Sequence, residues 1–122
     1  MRFIDALSEC TDTTACATVC FHADSFAVAD GAVIETALVE CVAQTVAAAM
    51  GRRGANGGQS EKSANGMLVG IGDFQIHSRA LPETQLRIEI RELKRFESML
   101  MISGNISCEG QSVASGVLTL YV

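Results

Sequence analysis

A single carboxylate stands in the middle of the most apolar segment of the sequence. Glu40 lies within residues 32–50, where small and aliphatic side chains predominate, and Gln44 follows four residues later on the same helical face. A carboxylate in apolar surroundings must find hydrogen-bond donors, take up a proton or line a cavity. All three outcomes suit general acid or base chemistry, so we predict that Glu40 is catalytic. The alternative is a structural carboxylate that Gln44, or backbone across an interface, binds.

Two other polar side chains accompany Glu40. Thr36 lies one turn before it, so that Thr36, Glu40 and Gln44 form the polar line through the middle of the segment. His22 stands where a predicted strand ends, ahead of residues 23–25, and imidazole changes its charge near neutral pH. A histidine in this position is either a surface or structurally bonded residue or a catalytic partner of Glu40, and only geometry distinguishes them.

The apolar segment predicts one long helix. The pattern places its N-cap at Asp30 and its C-cap at Gly51, which makes the helix about 19 residues and 28 Å long. Because this helix is apolar around almost its whole circumference, other elements must wrap it. Residues 51–66 are rich in Gly, Ser and Asn, which predicts an exposed, mobile loop with Arg52 and Arg53 near its start.

Alternation of apolar and polar residues on both sides of the helix is typical of strands. Residues 2–10 and 14–21 predict two short strands or a hairpin, and four strands of an antiparallel meander follow the loop. In the first of these four, Gly70 is expected where the backbone passes close to the helix or to a ligand. The simplest architecture is an α+β fold in which a twisted antiparallel sheet wraps the helix, and a second subunit covers the remaining face and edges.

Length, charge and cysteine content exclude several functions. A chain of 122 residues forms a single domain, and a net charge of -5 argues against nucleic acid as a partner. The five cysteines show no metal-ligand spacing, so we interpret them as reduced thiols of a cytosolic protein without a metal site. No export signal opens the sequence, and Glu35 and Glu40 argue against a membrane span in residues 32–50.

The order of elements and the helix motif resemble the hotdog-fold 3-hydroxyacyl-[acyl-carrier-protein] dehydratases, in which a sheet wraps a central helix. The resemblance rests on Glu40, on Gln44 four residues later and on the tail of small residues, and it extends through residues 80–96 and 109–122. Within this family the sequence resembles the short dehydratase-like proteins of aryl-polyene clusters. They carry an Asp-Gly pair at the distance before the helix Glu that Asp30 and Gly31 have here.

The resemblance implies an acid and a base from two subunits. By analogy, Glu40 protonates the leaving hydroxyl, a His from the loop before the helix removes the α proton across a dimer interface, and backbone N–H groups near the helix start hold the thioester oxygen. The family His aligns with Asp24, whereas His22 stands two residues earlier. In an extended segment His22 would point to the same side as Asp24 and replace the family His. Otherwise the site is degenerate.

The resemblance also implies partners and a pathway class. It predicts a cytoplasmic dehydratase of fatty acid or polyene biosynthesis that acts on 3-hydroxyacyl groups carried by an acyl carrier protein, without a metal or redox cofactor beyond the phosphopantetheine arm. The expected assembly is a homodimer, a higher homo-oligomer or a heteromer with another hotdog subunit. The alternatives are a hotdog acyl thioesterase that uses the helix carboxylate, and a degenerate subunit that pairs with an active dehydratase. The predicted substrate-binding residues are Gln44, Gly31, Thr36, Gly70, Arg52 and Arg53, the last two facing an acidic carrier protein.

Overall fold

A computed structural model describes residues 4–8, 11, 13–57 and 67–121. One long helix and eight strands form in this part of the chain. In chain order they are β1 (Ala6–Ser8), β2 (Thr14–Cys20), β3 (Val28–Ala29), β4 (Ala32–Val33), α1 (Glu35–Gly57), β5 (Met67–Ile76), β6 (Gln85–Phe96), β7 (Met99–Cys108) and β8 (Gln111–Tyr121).

Six strands form one antiparallel sheet in the order β1-β2-β6-β7-β8-β5, and β3 pairs with β4 in a separate small hairpin. The predicted hairpin of the first two strands is confirmed. The predicted four-stranded meander is wrong in one respect, because only β6, β7 and β8 follow one another while β5 pairs with β8 at the far edge. The reason is that residues 77–84 carry the chain from that edge back across the sheet to β2, whose partner is β6.

Strand periodicity sets which face of the sheet holds the core. In β6, Leu86, Ile88 and Ile90 are buried, and the charged residues between them are exposed, as their alternation predicts. Most buried residues of β7 and β8 follow the same rule, with Leu100, Ile102, Ile106, Ala114, Leu118 and Leu120 on the helix side. Val113 is buried out of phase, beside the register shift at Ile106 and Ser107. Glu109 and Gly110, with φ of 52° and 82°, make the two-residue turn between β7 and β8.

Both predicted ends of the helix are wrong. The helix begins at Glu35, where the carbonyl of Ile34 accepts hydrogen bonds from the N–H groups of Ala37 and Leu38. Asp30 is not its cap, because Asp30 and Gly31 form the turn between β3 and β4 with φ of 53° and 77°.

At the other end the helix continues through Gly51 to Gly57. A single Gly inside a helix costs only about 1 kcal/mol relative to Ala, so Gly51 does not stop it. Residues 51–57, predicted as part of a loop, are therefore helical, and the rest of that predicted loop, residues 58–66, lies outside the described residues.

The helix packs against the sheet on one side only. Its contacts are mainly with β2 and β6 and to a lesser extent with β1 and β7. Leu38, Cys41, Val42 and Val46 are buried in this contact. The predicted packing of one antiparallel sheet against one long helix is confirmed, and within the described part of the chain Thr36 and Glu40 on the other side of the helix stay exposed.

The inner face of β5 is also left open. Ile71 and Ile76 are paired with the buried residues Leu118 and Ala114, yet they are 50% and 44% exposed. Directly paired residues share a face of the sheet, so these two side chains point to the helix side, and no element among the described residues covers them fully. Strand β5 is therefore both an edge of the sheet and the margin of an uncovered apolar surface.

The close approach of helix and sheet occurs at Gly104 rather than at Gly70. A Cβ atom on Gly104 would lie 2.6 Å from Cγ1 of Val42 in the helix, so only Gly fits at this point of β7. A Cβ atom on Gly70 would have no atom within 4 Å. Gly70 pairs with Thr119, and Thr119 pairs with the exposed Met101, which places Gly70 on the sheet face away from the helix.

No helix in the described part of the chain has the length and apolar character that a membrane span requires.

Candidate active site

Glu40 lies on the side of the helix that the sheet leaves uncovered. It is exposed, and its Oε1 accepts a hydrogen bond of 3.3 Å from Nε2 of Gln44. The amide oxygen of Gln44 in turn accepts a hydrogen bond of 3.5 Å from the backbone N–H of Ile4. The sequence suggested that Glu40 is enclosed in an apolar interior, and within the single chain it is not. Glu40 is instead a hydrogen-bonded carboxylate on an open helix face.

The surroundings of Glu40 on that face are small and apolar. At 100° per residue, Thr36, Glu40, Ala43 and Ala47 fall within an arc of about 60°. Thr36 is exposed like Glu40, whereas Ala43 and Ala47 are half-buried. Thr36 also lies in the first helical turn, where backbone N–H groups have no acceptor within the helix. One carboxylate, one hydroxyl and a stripe of small apolar side chains thus share a surface that a second chain or a ligand is able to cover.

Cys41 lies beside Glu40 but on the buried side of the helix. Burial raises the pKa of its thiol to about 12, and the negative charges of Glu40 and then Asp5 contribute to the rise. A thiol of this kind stays protonated and is inert as a nucleophile. Cys41 is therefore a core residue whose pKa is affected by the neighbouring carboxylates, and it is not a candidate nucleophile.

Because the pKa of Cys41 is raised, the free energy of unfolding should fall as the solution becomes alkaline. The thiol has a pKa of 9.0 as its ordinary value and about 12 in the folded chain, so the unfolded chain loses this proton first. The stabilisation is complete below pH 9 and is lost as the pH rises from 9 to 12. We expect Cys41→Ala to flatten the fall in the free energy of unfolding across this range, as measured by urea denaturation. The exposed Cys20 supplies the control, and a wild-type slope in Cys41→Ala would contradict the assignment.

His22 lies at the end of β2 and contacts a carboxylate, but this carboxylate is not Glu40. Its Nδ1 is 3.5 Å from Oε1 of Glu83, and the two side chains are 79% and 57% exposed. In the part of the chain that the structure describes, His22 and Glu40 share no hydrogen bond or ion pair. Within the described chain the two residues therefore have no direct contact through which they could act together.

The segment that carries His22 is a turn and not an extended strand. The N–H of Ser25 donates to the carbonyl of His22 at 2.9 Å, which closes a β-turn over residues 22–25. His22 and Asp24 would point to the same side only along an extended backbone, and the backbone here is a turn. The turn forms because Ser25 also binds the following backbone, its Oγ accepting the N–H of Ala27 at 3.1 Å.

The turn at Gly31 lies beside a cation that the sequence analysis overlooked. The guanidinium of Arg79 donates to the carbonyl of Asp30, and a Cβ atom on Gly31 would lie 3.4 Å from that guanidinium. The N–H of Val33 donates to the carbonyl of Ala80 at 2.8 Å, which ties the same hairpin to the same segment. Gly31 is thus held at the exposed tip of a hairpin that leads directly into the helix.

The structure brings together only part of the predicted site. Thr36, Glu40 and Gln44 share the open helix face, and Gly31 lies in the hairpin that precedes it. Gly70 faces the opposite side of the sheet, and the side chains of Arg52 and Arg53 lie outside the described part of the chain. Glu83 was not among the residues predicted from the sequence. No local signal marks it, because its contact with His22 joins two loops that are far apart in the sequence.

A groove on the outer face of the sheet carries a different set of residues. Thr11, Thr14, Arg87, Glu89 and Arg91 line it, and no predicted site residue does. Arg87 is bound to Glu89 at 3.4 Å, so part of its charge is already neutralised. The catalytic candidates therefore remain on the helix side.

Comparisons with solved structures show the fold. The chain superposes on a structure described as the dehydratase heterocomplex ApeI:P from Xenorhabdus doucetiae with a TM-score of 0.87 and 22% identity, covering 98% of this chain and 82% of that one. It is also similar to a hypothetical thioesterase with coenzyme A from Streptococcus pneumoniae TIGR4, with a TM-score of 0.76 and 12% identity over 96% and 86% of the two chains. A protein of Streptococcus mutans UA159 bound to acetyl CoA gives a TM-score of 0.77 and 11% identity over 99% and 89%.

These similarities establish a hotdog fold, with one helix packed on an antiparallel sheet, as the sequence predicted. No curated protein sequence matches the chain. The profile of the family described as ApeP-like, ApeP dehydratase, matches residues 1–122. Because this match spans the whole sequence, the chain belongs to the ApeP-like dehydratase family.

Proposed function

We propose that the protein is a dehydratase of 3-hydroxyacyl thioesters carried by an acyl carrier protein, with Glu40 as its general acid. The observation that carries the proposal is the position of Glu40 on an open helix face, bonded to Gln44 and surrounded by small apolar side chains. Such a surface suits an acyl chain, and the carboxylate is the group on it that can transfer a proton. Membership of a dehydratase family supports the choice of elimination over other thioester chemistry.

The reaction needs one base and one acid. His22 takes the proton from the α carbon of the thioester, and the electron pair of that C–H bond forms the double bond. The C–O bond at the β carbon breaks, and the protonated carboxyl of Glu40 supplies the proton with which the hydroxyl leaves as water. The first-turn N–H groups near Thr36 and the turn at Gly31 stabilise the developing negative charge on the thioester oxygen. Proton transfer completes the step, so no metal or redox cofactor is required.

A second chain completes the site in this proposal. His22 and Glu40 do not touch in the described chain, and the inner face of β5 leaves Ile71 and Ile76 exposed. A partner placed along the β5 edge covers the inner face of β5 and the open face of the helix. It also brings the loop before its own helix close to Glu40. The same arrangement forms a tunnel at the interface, long and apolar enough for an acyl chain. The partner is a second copy of this chain or another hotdog subunit.

The proposed substrate carrier is an acyl carrier protein. Acyl groups on a phosphopantetheine arm arrive with an acidic protein, and basic residues near the tunnel mouth would attract it. Arg52 and Arg53 lie in the last turns of the helix and are our first candidates for this contact. We place the protein in the cytoplasm and in fatty acid or polyene biosynthesis, where such carriers supply 3-hydroxyacyl groups.

We expect His22→Ala to lower the rate of enoyl formation by about 10²- to 10⁴-fold, because general base catalysis contributes that much. The assay follows the ultraviolet absorbance of the enoyl thioester with 3-hydroxyacyl carrier proteins of several chain lengths. His77→Ala is the matched control, since His77 is the other histidine of the sequence and its Nε2 is bound to Oγ of Ser115 at 2.7 Å. An unchanged rate of enoyl formation in His22→Ala would contradict the assignment of His22 as the base. Release of free acid without enoyl formation would favour a thioesterase.

A second candidate function is that of a subunit which completes an active dehydratase without catalysing the reaction alone. The β-turn over residues 22–25 favours it, because Asp24 stands where a histidine is expected and His22 is not presented by an extended segment. The similar structure from Xenorhabdus doucetiae is described as a heterocomplex of dehydratases, which is consistent with such pairing. Purification of the chain alone decides between the two functions, since a fully active homodimer would exclude this role.

A further inference from the structure

A carboxylate is fixed directly beside the imidazole of His22. Oε1 of Glu83 lies 3.5 Å from Nδ1 of His22 and accepts a hydrogen bond of 3.0 Å from the N–H of Ala23, the next residue. One carboxylate oxygen thus contacts both the side chain of His22 and the backbone immediately after it. The contact joins the end of β2 to the loop that leads into β6, and the two residues are 61 positions apart in the sequence.

Glu83 is held in this position by its own backbone. Its N–H donates to the carbonyl of Phe21 at 2.7 Å, and its φ of 62° lies in the left-handed region, which a glutamate rarely adopts. Pro82 restricts the preceding backbone, and Oγ1 of Thr84 donates to the carbonyl of Leu81 at 2.7 Å, which closes the loop on the other side. Because the backbone and one carboxylate oxygen are both bound, Glu83 presents its charge to His22 in a defined direction.

We propose that Glu83 is a positioning residue that keeps the proton of neutral His22 on Nδ1 and leaves Nε2 available to take the substrate proton. The ring nitrogen that carries the proton in a neutral imidazole is set by the hydrogen bond that it makes, and a carboxylate accepts from an N–H. Glu83 then also stabilises the imidazolium that forms when Nε2 takes the proton. This inference rests on the proposed function, in which His22 is the base.

The tautomer of His22 is measurable without any assay of activity. The sequence has two histidines, so ¹⁵N-histidine labelling and long-range ¹H–¹⁵N spectra above the imidazole titration range resolve both rings. We expect the Nδ1–H tautomer to predominate at His22 and to decrease in Glu83→Ala. His77, bound to Ser115, serves as the internal reference. An identical tautomer ratio in wild type and Glu83→Ala would overturn the inference.

Matched variants separate this effect from damage to the fold. Glu97→Ala removes an exposed glutamate with a φ of 51°, so it has the same backbone strain as Glu83→Ala and should leave His22 unchanged. Glu83→Gln keeps an oxygen for the N–H of Ala23 and removes only the charge. We expect it to shift the tautomer in the same direction as Glu83→Ala but by less. A shift in Glu97→Ala as large as that in Glu83→Ala would also overturn the inference.

Kinetics then test whether Glu83 acts through His22. Because both side chains are largely exposed, we expect Glu83→Ala to lower kcat by only about fivefold, with less change in KM. In a His22→Ala background the same change should have no further effect, and an equal loss in both backgrounds would refute a role through His22. If His22→Ala leaves elimination intact, the proposed base falls, while the tautomer measurement still decides the contact between Glu83 and His22.

Discussion

Glu40→Gln is expected to lower the rate of enoyl formation by about 10²- to 10⁴-fold and to leave the melting temperature of the chain nearly unchanged. Gln keeps the size of the side chain and keeps an oxygen for the hydrogen bond from Nε2 of Gln44. It removes the proton that the carboxyl group gives to the leaving hydroxyl. Glu40 is exposed, so the change disturbs no packed core. Activity and stability should therefore separate cleanly in this variant.

The matched control is Glu35→Gln. Glu35 belongs to the same helix, is also exposed and lies in the first turn, about 140° around the axis from Glu40. It loses the same charge but is not on the open face that carries Thr36 and Glu40. We expect this control to retain the wild-type rate. If Glu40→Gln were as active as Glu35→Gln, the general acid would have to be sought elsewhere, although the family assignment would stand.

Gly104→Ala is expected to destabilise the fold by about 1–3 kcal/mol, the range typical of an overpacked core. The added Cβ atom would lie 2.6 Å from Cγ1 and 3.2 Å from Cγ2 of Val42. Val42 is fully buried, and a β-branched side chain in a helix has one strongly preferred rotamer, so it cannot turn away without cost. Helix and strand must separate slightly instead. Thermal or urea denaturation measures the loss.

A second substitution tests the cause of that loss. In Gly104→Ala combined with Val42→Ala, the two methyl groups that obstruct the new Cβ are gone, so the double variant should be more stable than the sum of the single effects predicts. Gly72→Ala is the control on the same sheet, since its Cβ would meet only the carbonyl of Val117 at 3.9 Å. Strict additivity, or an equal loss in Gly72→Ala, would contradict the role given to Gly104.

The sequence carried most of the information about local structure. Alternation in β6 identified Leu86, Ile88 and Ile90 as buried, and the small apolar run identified the central helix with Glu40 and Gln44 on one face. These predictions succeed because periodicity reflects one buried face, which is a local property of the chain. The hotdog fold itself followed from a family resemblance that spanned almost the whole sequence.

The errors concern features that depend on tertiary contacts. Asp30 has the chemistry of a helix cap, but followed by Gly31 it equally suits a two-residue hairpin turn, and the pairing of β3 with β4 decides in favour of the turn. The position of β5 beside β8 depends on a crossover that leaves no local signal. Whether Glu40 is enclosed depends on what covers the side of the helix away from the sheet, and in the described part of the chain Glu40 is exposed there.

In the candidate site, too, local features were predictable from the sequence and features that depend on tertiary contacts were not. The shared helix face of Glu40 and Gln44 was predictable because the two residues are four positions apart, whereas the contact of His22 was not, since Glu83 reaches it from across the fold. The assumption of an extended segment failed at residues 22–25, where Ser25 closes a turn. Asp24 and Ser25 are short polar residues of the kind that favours such turns, so the sequence of residues 22–25 does contain a signal for the turn.

The exposed edge strand β5 also affects how readily the newly synthesised monomer aggregates. In the sheet of the described residues β5 is an edge strand, so its outward N–H and carbonyl groups lie beside the exposed Ile71 and Ile76 as a template for an extended peptide. In the proposed assembly a second subunit covers that edge, so a monomer that has not yet assembled would be open to aggregation through strand addition. On that proposal, expression of the chain without its partner should give inclusion bodies before any loss of activity is visible.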